Sequence, residues 1–300
     1  MKVTPSCQAD TAPTYRHLST RFESQYGAFW LILDPKPIPC VSLELIDELR
    51  HFQKEFTRTF RSHDAGRQPI RYFIVASRSP GVFNLGGDLS LFARCVEEND
   101  VETLRAYARG CIETLYPYIL GFDLPITTIS LVQGDALGGG LEIALAGNIL
   151  IAEKSAKMGF PEVLFNLFPG MGAYNLLSRR IGVQRTERML LNGKLYPAEE
   201  LYAEGVVDIL AEDGRGENAV YEHIVRNENR GNAREGIHRV RRRLFPLLHE
   251  ELLDVTEIWV ETAMQIGPRE IRMMERLARS QGKLSRRDPI PLVFPGGRSF

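Results

Sequence analysis

Apolar positions in this chain fall into two periods, and the alternation between them predicts the fold class. Phe29-Trp30-Leu31-Ile32-Leu33 is a short continuous apolar run closed by Asp34-Pro35, the pattern of a buried strand. Ser42 is placed to cap a helix in which Leu45, Leu49, Phe52 and Phe56 recur at helical spacing. A second strand is predicted over 70–76, ended by Ser79-Pro80-Gly81, and helices over 89–98 and 101–120. A third strand spans 126–132 and leads through a glycine-rich turn into a helix over 138–146. Further strands follow over 148–152 and 206–210. Strands separated by helices predict parallel βαβ layers, an α/β class. From 218 to 280 the pattern is helical only. These periods divide the chain into a tail (1–20), an α/β core (21–212), a helical carboxyl-terminal part (213–287) and an irregular end (288–300).

Composition narrows the function. The formal net charge of -1 lacks the basic excess of a nucleic-acid binder. The amino-terminal residues carry no apolar signal segment, and the most apolar stretch, 143–152, is broken by Gly147 and Asn148 and is too short to span a bilayer. Cys7, Cys40, Cys95 and Cys111 form no CxxC pair and read as reduced thiols of a cytoplasmic protein. The histidines show no ligand spacing, so no metal site is expected.

Three segments carry candidate chemistry. Phe83-Asn84-Leu85-Gly86-Gly87-Asp88 lies between a strand and a helix, where two glycines allow close backbone approach; taken alone, a plain turn with Asp88 as N-cap is the simpler explanation. Gly134 to Glu142 places three successive glycines at a helix start, with amides and the positive dipole end suited to an anion or oxyanion; a need for small residues in packing is the alternative. It is neither a dinucleotide fingerprint nor a P-loop. Phe160-Pro161-Glu162 is followed by Pro169-Gly170-Met171-Gly172. Glu162 sits among apolar residues, as does Glu142, and such surroundings raise a carboxyl pKa toward the range of a general acid or base.

Together these segments, in this order, resemble the crotonase (enoyl-CoA hydratase/isomerase) superfamily over about 24–212. The resemblance implies a ββα spiral core, an oxyanion hole from the amides of Leu85 and Gly139, and Glu142 and Glu162 as the catalytic pair. Which glutamate is acid and which is base stays open. It further implies substrate contacts at Gly86, Gly138 and Met171. A narrower likeness, carried by 83–92, 161–174 and 256–265, is to the diffusible signal factor (DSF) synthases. Where a generic hydratase usually has Ala-Ala-Gly-Ala-Asp, this chain has Asn84-Leu85-Gly86-Gly87-Asp88.

That likeness implies a quorum-sensing enzyme that dehydrates 3-hydroxyacyl chains on acyl carrier protein (ACP) to cis-2-enoyl chains and then hydrolyses the thioester. No cofactor is implied beyond the ACP or CoA that carries the chain. Trimers or hexamers are implied, and a regulatory sensor protein is a further candidate partner. An acyl tail is expected against the carboxyl-terminal helices at Trp259, Ala263, Met264, Met273 and Leu277, although such stripes also serve as plain core. Arg239, Arg241, Arg242 and Arg243 form the basic cluster expected to meet an acidic carrier, with a plain solvated face as the alternative. The competing readings are an ordinary enoyl-CoA hydratase of fatty-acid breakdown and an inactive scaffold that binds a regulator; the presence of both glutamates argues against the second.

Overall fold

A computed structural model of the chain describes residues 14–61 and 70–284. Six strands form the main sheet: β1 (Leu18–Glu23), β2 (Ala28–Leu33), β3 (Tyr72–Ser77), β5 (Thr127–Val132), β7 (Ile149–Glu153) and β10 (Ile209–Ala211), side by side in that order. β1 pairs antiparallel with β2; the remaining pairs are parallel. A second sheet of three-residue strands, β4 (Val82–Asn84), β6 (Asp135–Leu137), β8 (Lys157–Gly159) and β9 (Leu195–Pro197), stands beside it. The expected α/β crotonase-type core with a helical carboxyl-terminal region is the observed architecture.

The predicted apolar runs are continuous because both faces of the main sheet are covered. Leu31, Leu33, Phe73 and Val75 enter the core beneath α1 (Leu43–Arg61) and α3 (Val101–Ile119). Their neighbours Trp30, Ile32, Tyr72 and Ile74 enter a second core with Val220 and Ile224 of α8 (Gly216–Arg226). A period of two thus sends alternate residues to different cores. A third core joins α2 (Leu89–Glu97) and α3 to α10 (His249–Ala263) and α11 (Pro268–Leu284) through Phe92, Tyr107, Trp259 and Met274.

Most boundaries expected from the sequence hold to within a residue or two, and two shift further. β1 begins at Leu18, so the tail expected over 1–20 overlaps an edge strand; its polar residues face outward on a strand whose burial alternates. The strand expected over 206–210 lies at Ile209–Ala211. Helices α5 (Ala173–Ile181), α6 (Val183–Asn192) and α7 (Ala198–Ala203), and the small sheet, are additions that the apolar periods do not predict. Residues 1–13 and the irregular end expected over 288–300 lie outside the described residues.

Candidate functional site

Two loops from the small sheet meet α4 (Gly139–Ala146) and leave two amides unused. After β4, Asn84 is fully buried and its Oδ1 accepts the Gly86 N–H at 2.8 Å. The Leu85 N–H donates to the Pro39 carbonyl at 2.8 Å, and Val41 N–H donates to the Gly86 carbonyl at 2.7 Å. Asp88 caps α2, its Oδ1 accepting from the amides of Ser90 and Leu91. The Gly87 N–H, between these anchored residues, has no acceptor among the described residues. On the other side Gly138 holds φ 53°, ψ -124° and donates its N–H to the Gly159 carbonyl at 2.9 Å. Gly139 opens α4, so its N–H is one of the unpaired first-turn amides, and it too lacks an acceptor among the described residues.

The expectation that Leu85 supplies an oxyanion amide is therefore corrected, because that amide is committed to Pro39. The free pair is Gly87 and Gly139, and both line the same cavity. Gly86, whose amide is also committed, is a hinge at φ 89° rather than part of the cavity wall. Gly138 does line the cavity. A Cβ there would come within 2.2 Å of Glu162 Oε1, so that position needs glycine for space as well as for its positive φ.

Both expected glutamates reach this cavity. Glu142, in the first turn of α4, is 1% exposed, and its Oε1 accepts the amides of Met171 at 2.7 Å and Ala173 at 2.9 Å. Burial raises its pKa to about 7 against the opposing pull of those two amides. Glu162 stands in a 3-10 turn over Pro161–Phe165, with Asn166 in the left-handed conformation closing it. Though the residue is only partly buried overall, its Oε2 is buried and has no hydrogen-bond partner among the described residues. Burial, then the neighbouring Glu142 charge, push its pKa up to about 8. The two groups interact, so they titrate as a pair. The amides on Glu142 Oε1 favour its ionised form, leaving Glu162 as the protonated partner at neutral pH.

The cavity holds about 900 Å³ of empty space, part of it open to solvent, and its wall is mainly apolar. Leu89, Phe92 and Tyr107 form one side; Trp259 of α10 and Leu277 of α11 form another. Trp259 packs edge-on against Phe92 with ring centroids 5.0 Å apart. The family model for enoyl-CoA hydratase/isomerase matches residues 39–226, which include both loops and both glutamates.

The chain belongs to the enoyl-CoA hydratase/isomerase family.

Similar curated proteins include methylglutaconyl-CoA hydratase, mitochondrial, of Mus musculus, 32% identical over 152 residues, covering 51% of this chain and 46% of that protein. The fatty acid oxidation complex subunit alpha of Vibrio cholerae is 29% identical over 189 residues, covering 62% of this chain and 25% of that protein. The chain spans less than half the length of these relatives. Among solved structures, an enoyl-CoA hydratase from Bacillus halodurans superposes with a TM-score of 0.71 at 24% identity, covering 87% of this chain and all of that one. Pseudomonas aeruginosa DspI superposes with a TM-score of 0.58 at 20% identity, covering 91% and 98%. At these identities the structural likeness concerns the crotonase fold.

The carboxyl-terminal stripe of this family member divides by helix face. Met171, Trp259 and Leu277 line the cavity as expected. Ala263 does not: it is 1% exposed and packs in the third core, one turn beyond Trp259 where α10 has turned away. Met264 supports that core from its edge, and Met273 is exposed on α11. None of these three is part of the cavity wall. The basic cluster is displaced too. Arg241 and Arg242, on α9 (Gly231–Leu244), line a separate groove with Gly147 and Asn148 at the carboxyl-terminal end of α4, whereas the cavity lies at its amino-terminal end.

Three cavity residues escape a reading of the sequence. Gly87 is visible as the second glycine of the doublet, but its freedom depends on which neighbours are bonded. Phe92 and Tyr107 carry no motif and are recognisable only once α2 and α3 are packed. Among the described residues there is no cluster of three or more potential metal-ligating side chains, and no helix is long and apolar enough to cross a membrane.

Proposed function

We propose that this chain dehydrates 3-hydroxyacyl thioesters to 2-enoyl thioesters and then hydrolyses them, as a DSF-type signal synthase acting on ACP-borne chains. The observation that carries the reading is the pair Glu142 and Glu162, raised to about 7 and about 8 on one cavity wall, beside the free amides of Gly87 and Gly139. The thioester carbonyl oxygen accepts from those two amides, which stabilise the negative charge formed when the alpha proton leaves. The ionised carboxylate takes that proton. Its protonated partner gives its proton to the departing hydroxyl, which leaves as water. The proton held by the pair is conserved through the step, so one shared proton suffices.

Thioester hydrolysis uses the same parts. Loss of the hydroxyl leaves room beside the buried, unpartnered Oε2 of Glu162. A water bound there gives a proton to the carboxylate and adds to the carbonyl carbon; the tetrahedral oxyanion rests on Gly87 and Gly139, and the carrier thiol leaves with the proton. No cofactor is required by this scheme beyond the carrier of the acyl chain. Arg272, Arg276 and Arg279 are exposed on α11 beside Leu277 and Ser280 of the cavity mouth, which supports an acidic carrier protein as the delivering partner. Exposed Ile237, Val240 and Leu244 on one face of α9 support self-association, and the buried free thiols of Cys40, Cys95 and Cys111 suit a cytoplasmic setting.

The second reading, an enoyl-CoA hydratase without thioesterase action, is favoured by the identity to methylglutaconyl-CoA hydratase. Mass spectrometry of products from purified protein and 3-hydroxyacyl-ACP separates the two. Free 2-enoic acid and holo-ACP are expected. Enoyl-ACP that accumulates without free acid removes the hydrolytic half and leaves the hydratase reading.

A further inference from the structure

The free amide of Gly87 owes its direction to a bond made by its neighbour. Gly86 and Gly87 share one planar trans peptide, in which the C=O and the N–H point opposite ways. The carbonyl of that unit accepts the Val41 N–H at 2.7 Å, so the Gly87 N–H points away from Val41. Gly87 lines the catalytic cavity and Val41 does not. Whatever fixes Val41 therefore aims this amide.

Val41 pairs with Gly87 as an isolated parallel bridge, with no strand continuing on either side to hold its register. Tyr107 of α3 secures it. The Tyr107 hydroxyl donates to the Val41 carbonyl at 2.6 Å and accepts the Asp88 N–H at 3.3 Å. Val41 is thus held at its N–H by Gly86 and at its carbonyl by Tyr107, and one side chain joins the two backbone segments.

Packing does not require that hydroxyl. Tyr107 is 2% exposed, and its ring stands edge-on to Phe92 with centroids 5.2 Å apart. A phenylalanine ring would fill the same space, whereas a buried hydroxyl costs stability unless it is bonded. Burial raises the phenol pKa well above its ordinary 10, and the buried Cys111 thiol, one turn along α3, hydrogen-bonds the same residue. The phenol proton is committed to Val41, so Tyr107 has none to exchange with a substrate although it stands in the cavity wall. Phe92 closes the other side of the loop: a Cβ added at Gly87 would come within 2.4 Å of Phe92 Cζ.

We propose that Tyr107 is a positioning residue for thioester chemistry, whose hydroxyl locks Val41 and Asp88 so that the Gly87 amide stays aimed at the substrate carbonyl oxygen. The inference rests on the acyl-thioester reading for its chemistry, while the lock itself can be tested without turnover.

Tyr107→Phe keeps the ring and loses the hydroxyl. Tyr118→Phe is the control, because that hydroxyl is also buried, lies 2.9 Å from Ser130 Oγ and belongs to a residue outside the cavity wall. Removing one oxyanion donor costs about 10²–10³-fold in kcat, so loosening one should cost about tenfold. Tyr107→Phe should lower kcat by that factor, leave KM within about twofold and preserve the shape of the pH profile. Tyr118→Phe should lower Tm by a similar amount with kcat retained. Retained kcat in Tyr107→Phe, or an equal loss in both variants, overturns the proposal. Loss of one limb of the pH profile in Tyr107→Phe overturns it too, since the phenol would then be trading protons. If the parent turns over no thioester, the acyl-thioester reading fails, and hydrogen–deuterium exchange over residues 84–92 decides the lock alone. Exchange there should quicken in Tyr107→Phe and not in Tyr118→Phe; unchanged exchange refutes the lock.

Discussion

Gln281 donates from Nε2 to the carbonyl of Leu85 at 3.1 Å, a bond between residues 196 apart in the chain. Through it α11 grips the loop whose next amides are the committed Gly86 and the free Gly87. A neutral hydrogen bond of this kind contributes about 1 kcal/mol, so Gln281→Ala should lower kcat/KM by about fivefold while circular dichroism stays unchanged. Steady-state kinetics on a single thioester check it; unchanged kinetics would mean that Asn84 and Pro39 hold the loop unaided.

Glu142→Gln and Glu162→Gln should each fold and each lose about 10²–10⁴-fold in turnover, the usual worth of a general acid or base. In Glu142→Gln the near-isosteric side-chain amide keeps an oxygen for the Met171 and Ala173 N–H groups. Near-native turnover in either variant, measured with its dichroism spectrum, would make that residue structural.

Stability should fall as pH rises. Both carboxyls have folded pKa values raised above the ordinary 4.5, to about 7 and about 8, chiefly by burial. At pH below 4.5 they are protonated in both states and cost little. Between there and about pH 8 the unfolded chain releases protons that the native chain keeps, which favours unfolding. Above that the penalty levels off, on the order of a few kcal/mol. Glu162→Gln removes one of the two groups. Its Tm minus that of the parent should therefore grow between about pH 5 and about pH 9, which thermal melts at those two values measure; a constant difference would contradict the raised pKa.

Reversal of charge at the cavity mouth should distinguish carriers. Arg276→Glu with Arg279→Glu is expected to raise KM for acyl-ACP severalfold, an effect that weakens in high salt, and to leave a small acyl thioester unaffected. The same substitutions at Arg241 and Arg242, in the groove at the other end of α4, should change neither. Parallel kinetics with both substrates at low and high salt test this; equal loss on both substrates would point to damage at the site.

The strands of the main sheet are legible because short apolar runs closed by Asp34-Pro35 or Ser79-Pro80-Gly81 fit a buried strand and are too brief for a buried helix. The three-residue strands β4, β6, β8 and β9 are too short to display a period, and β1 alternates with mostly polar residues at an exposed edge. At the site, the apolar surroundings of Glu142 and Glu162 carry the direction of their pKa shifts. Which amide is free is not readable, since Leu85 is silenced by Pro39, a partner from a distant segment whose approach no local pattern records. The stripe on α10 shows the same limit. Trp259 and Ala263 share a helical face, yet one turn of rise carries Ala263 past the cavity and into the core.

The cavity wall formed by Leu277 and Gln281 has a consequence for synthesis of the chain. Translation delivers residues in order, and folding proceeds as each segment emerges. The main sheet, both loops and both glutamates are made before α11, so a nascent chain holds its reactive carboxyls in an open trough. The trough gains its last wall only when the final described helix leaves the ribosome and docks on α2 and the Leu85 loop. Activity should thus wait for α11 to emerge and dock, and a ribosome stalled before Pro268 would display a crotonase core without the Leu277 and Gln281 part of its cavity wall.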